Sequence, residues 1–241
     1  MKNNKFTMQE VRDFWDSVAD IYDIANDSVR ETHDQRYQEA LQYINTLQGL
    51  NVLNVWSRTG EMHEYLKCRN LDKYNILVNL EVSSNLIKKS IKRTGNVNYI
   101  QTDLNMLPVK DKSFDIVFSL ETLEHCPSPT LFINELHRLL KDNGILVLSC
   151  PPAFAEIVLW IYEKFAFNHG EGPHRFPSSA SVKKLFIESG FEIITHKGTL
   201  FLPFQNRFIQ KIDKIITPII NCIGLSDLGI RQFYVVRKKR T

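Results

Sequence analysis

Apolar residues recur along this chain at two spacings, and from residue 50 onward short apolar runs alternate with segments of helical periodicity. Seven runs predict buried strands: 51–55, 75–82, 98–102, 114–120, 145–149, 191–196 and 232–237. Four segments predict helices between them: 60–67, 84–93, 129–140 and 181–189. A polar turn is predicted at 141–144. This alternation predicts one α/β domain over 1–241, built on a Rossmann-like, doubly wound, seven-stranded and mostly parallel sheet.

Some segments lie outside this alternation. Residues 8–25 and 34–48 carry apolar side chains at helical spacing and predict a helical cap over 1–48. Long segments at 151–180 and 200–228 interrupt the later part of the repeat. Because ligands of open α/β sheets bind beyond the carboxyl ends of the strands, both segments are candidates for a substrate lid. The alternative is that they only extend the core.

The composition narrows the class of protein. The chain has 241 residues, 43% of them hydrophobic and 24% charged, which is near the globular average. Its 30 basic and 27 acidic residues leave too small an excess of positive charge to indicate nucleic-acid binding. Four cysteines without a C-x-x-C pair predict a reduced, cytoplasmic protein that has neither a disulfide framework nor a zinc site.

Two acidic residues end predicted strands. Glu81 follows Gly60 by 21 residues, the spacing of an acid that accepts the hydroxyls of an adenosine ribose. Asp103 ends the next strand, where it can accept the amino group of adenine while Leu104 offers a backbone N–H to the ring. The alternatives are a solvated glutamate and an aspartate that caps a turn.

The ordered set of motifs resembles the class I S-adenosylmethionine-dependent methyltransferases. It is most similar to the small-molecule branch that includes the ubiquinone-biosynthesis O-methyltransferases. The resemblance covers about residues 10–196. In chain order, the matching features are the strand and turn at 52–60, Glu81, Asp103, Leu107-Pro108, Phe114-Asp115-Ile116-Val117, Glu124-His125 and the run from Leu140 to Leu146.

The resemblance implies a methyl transfer from S-adenosylmethionine to a small-molecule acceptor, and an antiparallel last strand. It also implies that Tyr22 closes over the cofactor, that the turn before Gly60 holds its methionine end, and that Leu120 and Glu121 line the crevice near the sulfonium. The cofactor-binding set that it implies is Tyr22, Asn54, Trp56, Gly60, Glu81, Val82, Asp103, Leu104, Leu120 and Glu121.

The turn after the first strand departs from this family. The family has Asp, Gly and Gly where this chain has Asn54, Trp56 and Arg58. Glycine reaches the required φ angles without strain, and the indole of Trp56 is large enough to fill part of the space for the methionine moiety. Arg58 either adds a cation beside a cationic cofactor or pairs with the carboxylate of that cofactor. A second hypothesis is therefore a methyltransferase-like protein that has lost catalysis and acts as a binding or scaffolding subunit.

Histidines supply the candidates for proton transfer and substrate recognition. His125 is the candidate general base, since histidine titrates near neutral pH. Glu121, Glu124 and His125 can also share one helical face and hold a metal, although we favour local packing for this group and predict no metal. His169, His174 and Arg175 lie in a glycine-rich segment and are candidate substrate contacts.

The 200–228 segment also carries a candidate surface. Its apolar residues Phe204, Phe208, Ile212, Ile215 and Ile219 fall near helical spacing, with basic residues beside them. That composition is typical of a helix on a membrane surface, and equally of a homodimer interface or a packed core helix.

Overall fold

The computed structural model describes residues 6–27, 30–95, 98–104, 106–163, 170–202 and 207–240. Two residues named above, His169 and Phe204, lie outside this described part of the chain. No helix within these ranges combines the length and the apolar character that crossing a membrane demands.

A seven-stranded sheet forms the centre of the described chain, with the strand order β3-β2-β1-β4-β5-β7-β6. Its strands are β1 (Asn51–Val55), β2 (Ile76–Glu81), β3 (Asn98–Gln101), β4 (Phe114–Leu120), β5 (Leu140–Cys150), β6 (Phe191–Thr199) and β7 (Arg231–Lys238). Strands β1 to β5 pair in parallel, whereas β7 pairs antiparallel with both β5 and β6. The predicted fold class and the antiparallel last strand are confirmed. Because β1 has β2 on one side and β4 on the other, the carboxyl ends of β1 and β4 form the switch point at which such sheets bind ligands.

Helices cover both faces of the sheet. They are α1 (Met8–Val18), α2 (Tyr22–Asp27), α3 (Arg30–Leu41), α4 (Glu61–Cys68), α5 (Ser84–Thr94), α6 (Pro129–Leu139), α7 (Ala155–Glu163), α8 (Ser179–Glu188) and α9 (Arg207–Cys222). Short 3-10 helices occur at Leu123–His125 and Ser226–Leu228. Adjacent residues of β1 face opposite sides, since Val52 packs in one apolar cluster and Leu53 in the other.

Three details of the predicted secondary structure were wrong. The helix expected over 8–25 is divided into α1 and α2, and α3 begins and ends earlier than its predicted range of 34–48. The turn expected at 141–144 lies within β5, where the register with β4 shifts between Phe114 and Ile116. Asn143 has a φ of 64° there, so the polar residues form a bulge in the strand instead of separating a helix from it.

The start of α1 is fixed by a capping box. The Thr7 hydroxyl accepts the backbone N–H of Glu10 at 3.2 Å, and the Glu10 carboxylate accepts the backbone N–H of Thr7 at 2.7 Å. From this start, α1 buries Val11 and Trp15 completely or nearly so. These residues join the same apolar cluster as Val82 and Leu104, so α1 lies directly over the ends of β2 and β3.

Candidate functional site

The turn after β1 keeps a glycine-like backbone although two of its residues carry large side chains. Trp56 has a φ of 59° and Arg58 a φ of 54°, both in the left-handed region. Holding a non-glycine residue there costs roughly 1–2 kcal/mol. Gly60 has a φ of 85°, and a Cβ added to it would lie 2.9 Å from Thr94 Cγ2 and from Tyr99 Oη. Gly60 is thus required by packing against α5 and β3.

The Arg58 side chain lies between two indole rings. Its guanidinium carbon is 3.8 Å from the ring centre of Trp15 and 4.0 Å from that of Trp56. Such cation–π contacts contribute about 2 kcal/mol when they are shielded from water. Arg58 Nη2 also donates to the backbone oxygen of Glu121 at 3.3 Å, which ties the end of β1 to the end of β4.

Trp56 is buried, with only 3% of its surface exposed. The centre of its ring lies 4.8 Å from the ring centre of His125 and 5.7 Å from that of Trp15, and both contacts are edge-on. Trp15, Trp56 and Arg58 together, named here the Trp–Arg stack, occupy the volume above the carboxyl end of β1.

Glu81 is fully buried beneath this stack and α1. Its carboxylate accepts the backbone N–H groups of Arg58, Val82 and Ser83 at 2.7, 2.8 and 3.1 Å. Burial raises the pKa of Glu81 to about 7, against the opposing charge of Arg58 and these N–H groups. The Ser83 hydroxyl in turn donates to the Asp16 carboxylate of α1 at 2.5 Å, and this hydrogen bond holds α1 over the end of β2.

Other residues of the predicted cofactor set lie farther from any open space. Leu104 is 2% exposed and packs under α1, while Asp103 beside it is half-buried. Asn54 donates from Nδ2 to Asn79 Oδ1 at 3.0 Å across β1 and β2. Leu120 belongs to the apolar cluster that holds α3 and α4.

A cavity of about 510 Å³ opens next to the Trp–Arg stack, between the N-terminal helices, the end of β4 and the segment after β5. Three of the predicted residues line it, namely Tyr22, Glu121 and His125. It is also lined by Arg58 of the stack. The structure therefore brings part of the predicted set to one cavity, leaves Glu81 under α1, and keeps Asp103 out of the cavity lining.

Glu121 is the anionic centre of this cavity. Its carboxylate is 3.3 Å from Arg36 and in direct contact with Arg231, and both arginines are buried. Burial by itself raises the pKa of Glu121, but the charges of Arg231 and Arg36 outweigh it and leave that pKa below its ordinary value. Glu121 is therefore an ionised carboxylate held by two guanidinium groups.

His125 lies on the short 3-10 helix after β4 and is 1% exposed. Its Nδ1 is 3.0 Å from the Pro173 backbone oxygen. Because that oxygen can only accept, Nδ1 is the donor, and the neutral ring carries its lone pair on Nε2. Among the residues that the structure describes, no three histidine, cysteine or acidic side chains converge as a metal site would need.

The predicted substrate contacts fall beside the cavity. His174 contacts the Gly172 backbone oxygen at 2.8 Å and stacks near Phe176, and Arg175 has an exposed side chain. The cavity lining includes Phe176 and Glu171 of this segment. The segment is seated on α1, since Gly172, at a φ of 66°, lies so close to the Phe14 ring that an added Cβ would be 2.3 Å from it.

Two arginines that meet at the cavity, Arg36 and Arg231, were missed by sequence reasoning. Arg36 lies on α3, whose residues show almost no separation of polar and apolar faces, and Arg231 begins the last strand. They converge on Glu121 only through the fold. The sequence offered a signal only for the contact between Trp15 and Arg58, because tryptophan and arginine side chains readily stack on each other.

Comparison with known proteins shows that the chain is similar to methyltransferases. A family model for a methyltransferase domain matches residues 53–148. The demethylmenaquinone methyltransferase of Staphylococcus saprophyticus is 24% identical over 214 residues, 79% of this chain and 91% of that protein. An S-adenosylmethionine-dependent methyltransferase of Thermotoga maritima, described as a possible histamine N-methyltransferase, has a TM-score of 0.68 at 18% identity, over 97% of this chain and 100% of that one. The 4+2 cyclase SpnF shares the fold with a TM-score of 0.69 at 16% identity, over 98% and 97%.

Proposed function

We propose that this chain, which resembles the class I S-adenosylmethionine-dependent methyltransferases in its motifs and fold, methylates a small molecule held in the cavity beside the Trp–Arg stack. One observation carries this proposal. The cavity begins at the carboxyl end of β4, next to the turn after β1, where this fold brings its two ligands together. S-adenosylmethionine supplies the methyl group, and the protein supplies orientation and charge.

The cofactor of this family does not fit the crevice as it stands. The Trp–Arg stack occupies the position of the methionine moiety, and both carboxylate oxygens of Glu81 already accept backbone N–H groups. Binding therefore requires the Trp56 ring to move, and α1 to uncover Glu81. A ligand that must first displace a preformed packing binds more weakly by the cost of that displacement.

His125 is the residue that we assign to the proton of the acceptor. It lines the cavity, its Nδ1 is held by Pro173, and Nε2 carries the lone pair. A neutral imidazole in this orientation can take a proton from an acceptor hydroxyl as the methyl group transfers. The segment 151–180 contributes Phe176 to the same cavity, which supports its role as an acceptor lid. We assign 1–48 as a cap over the cofactor side, because α1 covers Glu81.

Calorimetric titration of S-adenosylmethionine and S-adenosylhomocysteine tests the proposal. We expect binding that is roughly tenfold tighter at pH 8 than at pH 6, since ribose hydroxyls donate best to an ionised Glu81 and its pKa is about 7. The same pKa, raised above the unfolded value, means that Glu81 favours folding at low pH and loses this contribution as the pH rises through about 7.

The Glu81→Gln variant is the matched control for that titration. It keeps the size of the side chain, so it should fold, bind more weakly and lose the pH dependence. No detectable heat at millimolar cofactor, from protein shown by circular dichroism to be folded, would refute the methyltransferase proposal. Equal affinity at both pH values would remove Glu81 from the ribose site.

A membrane surface is the partner that we propose for α9. Its residues Phe208, Ile215 and Ile219 are 72%, 67% and 58% exposed, and Lys211 and Lys214 are exposed beside them. Apolar residues flanked by lysines suit a helix that lies in the headgroup region of an anionic bilayer. A homodimer interface is the alternative for the same surface.

Sedimentation with phosphatidylglycerol vesicles tests this surface. We expect the protein to sediment with these vesicles, to remain free with phosphatidylcholine vesicles, and to be released by Ile215→Glu. Ile187→Glu on α8 is the control, because Ile187 is 65% exposed but lies on another element. A concentration-dependent dimer in light scattering, without vesicle binding, would assign α9 to a homodimer instead.

A further inference from the structure

Several residues that line the cavity have a buried polar atom without a hydrogen-bond partner in the described part of the chain. Among these atoms are Arg58 Nη1 and Glu124 Oε2, and their residues are only 5% and 2% exposed. Both residues line the cavity. A buried guanidinium N–H without an acceptor is costly, and proteins keep such atoms mainly where a ligand or water completes them.

The charge at this end of the cavity favours an anion. Arg36, Arg58 and Arg231 bring three positive charges to the cluster around the ionised carboxylate of Glu121. Burial, and then the neighbouring charge of Glu121, raises the pKa of Glu124 well above its ordinary value, which favours the protonated form of this carboxyl. A protonated carboxyl is a hydrogen-bond donor and adds no negative charge.

The cavity walls limit what kind of anion it can take. Glu31 and Glu171 also line the cavity, and their acidic side chains disfavour a doubly charged group such as phosphate. The lining includes apolar residues as well, among them Val158, Leu202 and Ile230. A volume of about 510 Å³ is ample for a one- or two-ring molecule.

We propose that this cavity recognises a monocarboxylate with an apolar body, whose carboxylate accepts from Arg58 Nη1 and from the protonated carboxyl of Glu124. A carboxylate has only acceptor atoms and a single negative charge, which matches one guanidinium donor and one hydroxyl donor. The inference rests on the proposed function, since the ligand would be the methyl acceptor. Arg58 thereby gives the substituted turn a role that glycine cannot fill.

Benzoate, with benzamide as its neutral isostere, is the probe for this site. We expect calorimetry at pH 7 to show millimolar or tighter binding of benzoate and at least tenfold weaker binding of benzamide, since a charge-assisted pair is replaced by a neutral one. Arg58→Met keeps the length of the side chain and should lower benzoate affinity at least about tenfold.

The outcomes separate the inference from the function on which it rests. Equal affinity for benzoate and benzamide in the wild-type protein overturns the carboxylate site, whether or not S-adenosylmethionine binds. The carboxylate can also come from the cofactor, so both S-adenosylmethionine and 5′-methylthioadenosine, which lacks a carboxylate, are titrated into Arg58→Met. If Arg58→Met lost affinity for S-adenosylmethionine but not for 5′-methylthioadenosine, Arg58 would recognise the carboxylate of the cofactor. That result would overturn the assignment of Arg58 to the acceptor.

Discussion

Replacing Trp56 with glycine should raise the affinity for S-adenosylmethionine by about tenfold or more, since a crevice cleared of one indole no longer has to be opened by the ligand. The same change should lower the free energy of unfolding by roughly 2–4 kcal/mol, because the loss of a buried tryptophan outweighs the relief of a strained φ. Affinity and stability then move in opposite directions. Calorimetry and urea denaturation measure the two quantities separately.

Two further variants separate the ring from the backbone. Trp56→Ala removes the ring but keeps a β-carbon at a φ of 59°, so it should gain affinity and be less stable than Trp56→Gly by about 1 kcal/mol. Asn70→Gly is the matched control, because Asn70 has a φ of 55° at an exposed position outside the site. It should leave affinity unchanged. Unaltered or weaker binding by folded Trp56→Gly would mean that the indole is not in the path of the cofactor.

Glu121→Gln should lower the free energy of unfolding by about 3–5 kcal/mol, because it leaves two buried guanidinium groups facing a neutral amide. Arg36 and Arg231 are 4% and 6% exposed, so water cannot replace the lost charge. Urea denaturation at neutral pH measures the difference. Because the folded pKa of Glu121 is below its unfolded value, its contribution is present above the unfolded pKa and is lost as the pH falls through the folded one. The two proteins should therefore converge in acid.

A surface ion pair provides the comparison for this prediction. Glu192 lies 4.0 Å from Arg237, and both side chains are about half exposed. Pairs of this kind contribute about 0–1 kcal/mol, so Glu192→Gln should be nearly as stable as the wild type. If Glu121→Gln behaved like Glu192→Gln, the buried arginines would have to be satisfied by something other than that carboxylate.

The sheet could be predicted because its signal is local. Val52, Leu53, Val117 and Leu146 belong to short apolar runs bounded by polar residues, and strands of a sheet covered on both faces carry this signal within a few residues. The separation of 21 residues between Gly60 and Glu81 also indicated where in this sheet a ligand would bind. Sequence periodicity does not show register shifts, so the bulge at Asn143 inside β5 was taken for a turn.

The candidate site was predictable only in part, because most of its contacts join distant segments. Nothing near Arg36 or Arg231 in the sequence indicates that they meet Glu121, and a polar helix normally faces solvent. The sequence showed that Trp56 and Arg58 replace glycines of the family. It did not show that both side chains would pack against Trp15 of α1. Whether Asp103 and Leu104 bind adenine stays a prediction.

The contact between Phe14 and Gly172 links the two covers of the site. The ring belongs to α1, which covers Glu81, and the glycine belongs to the segment that borders the cavity proposed for the acceptor. A movement of α1 that uncovers Glu81 also withdraws the ring on which that segment rests. Occupancy of one chamber then changes the free energy of filling the other, and such linkage is reciprocal. The two ligands would bind cooperatively, although neither touches the Phe14–Gly172 contact.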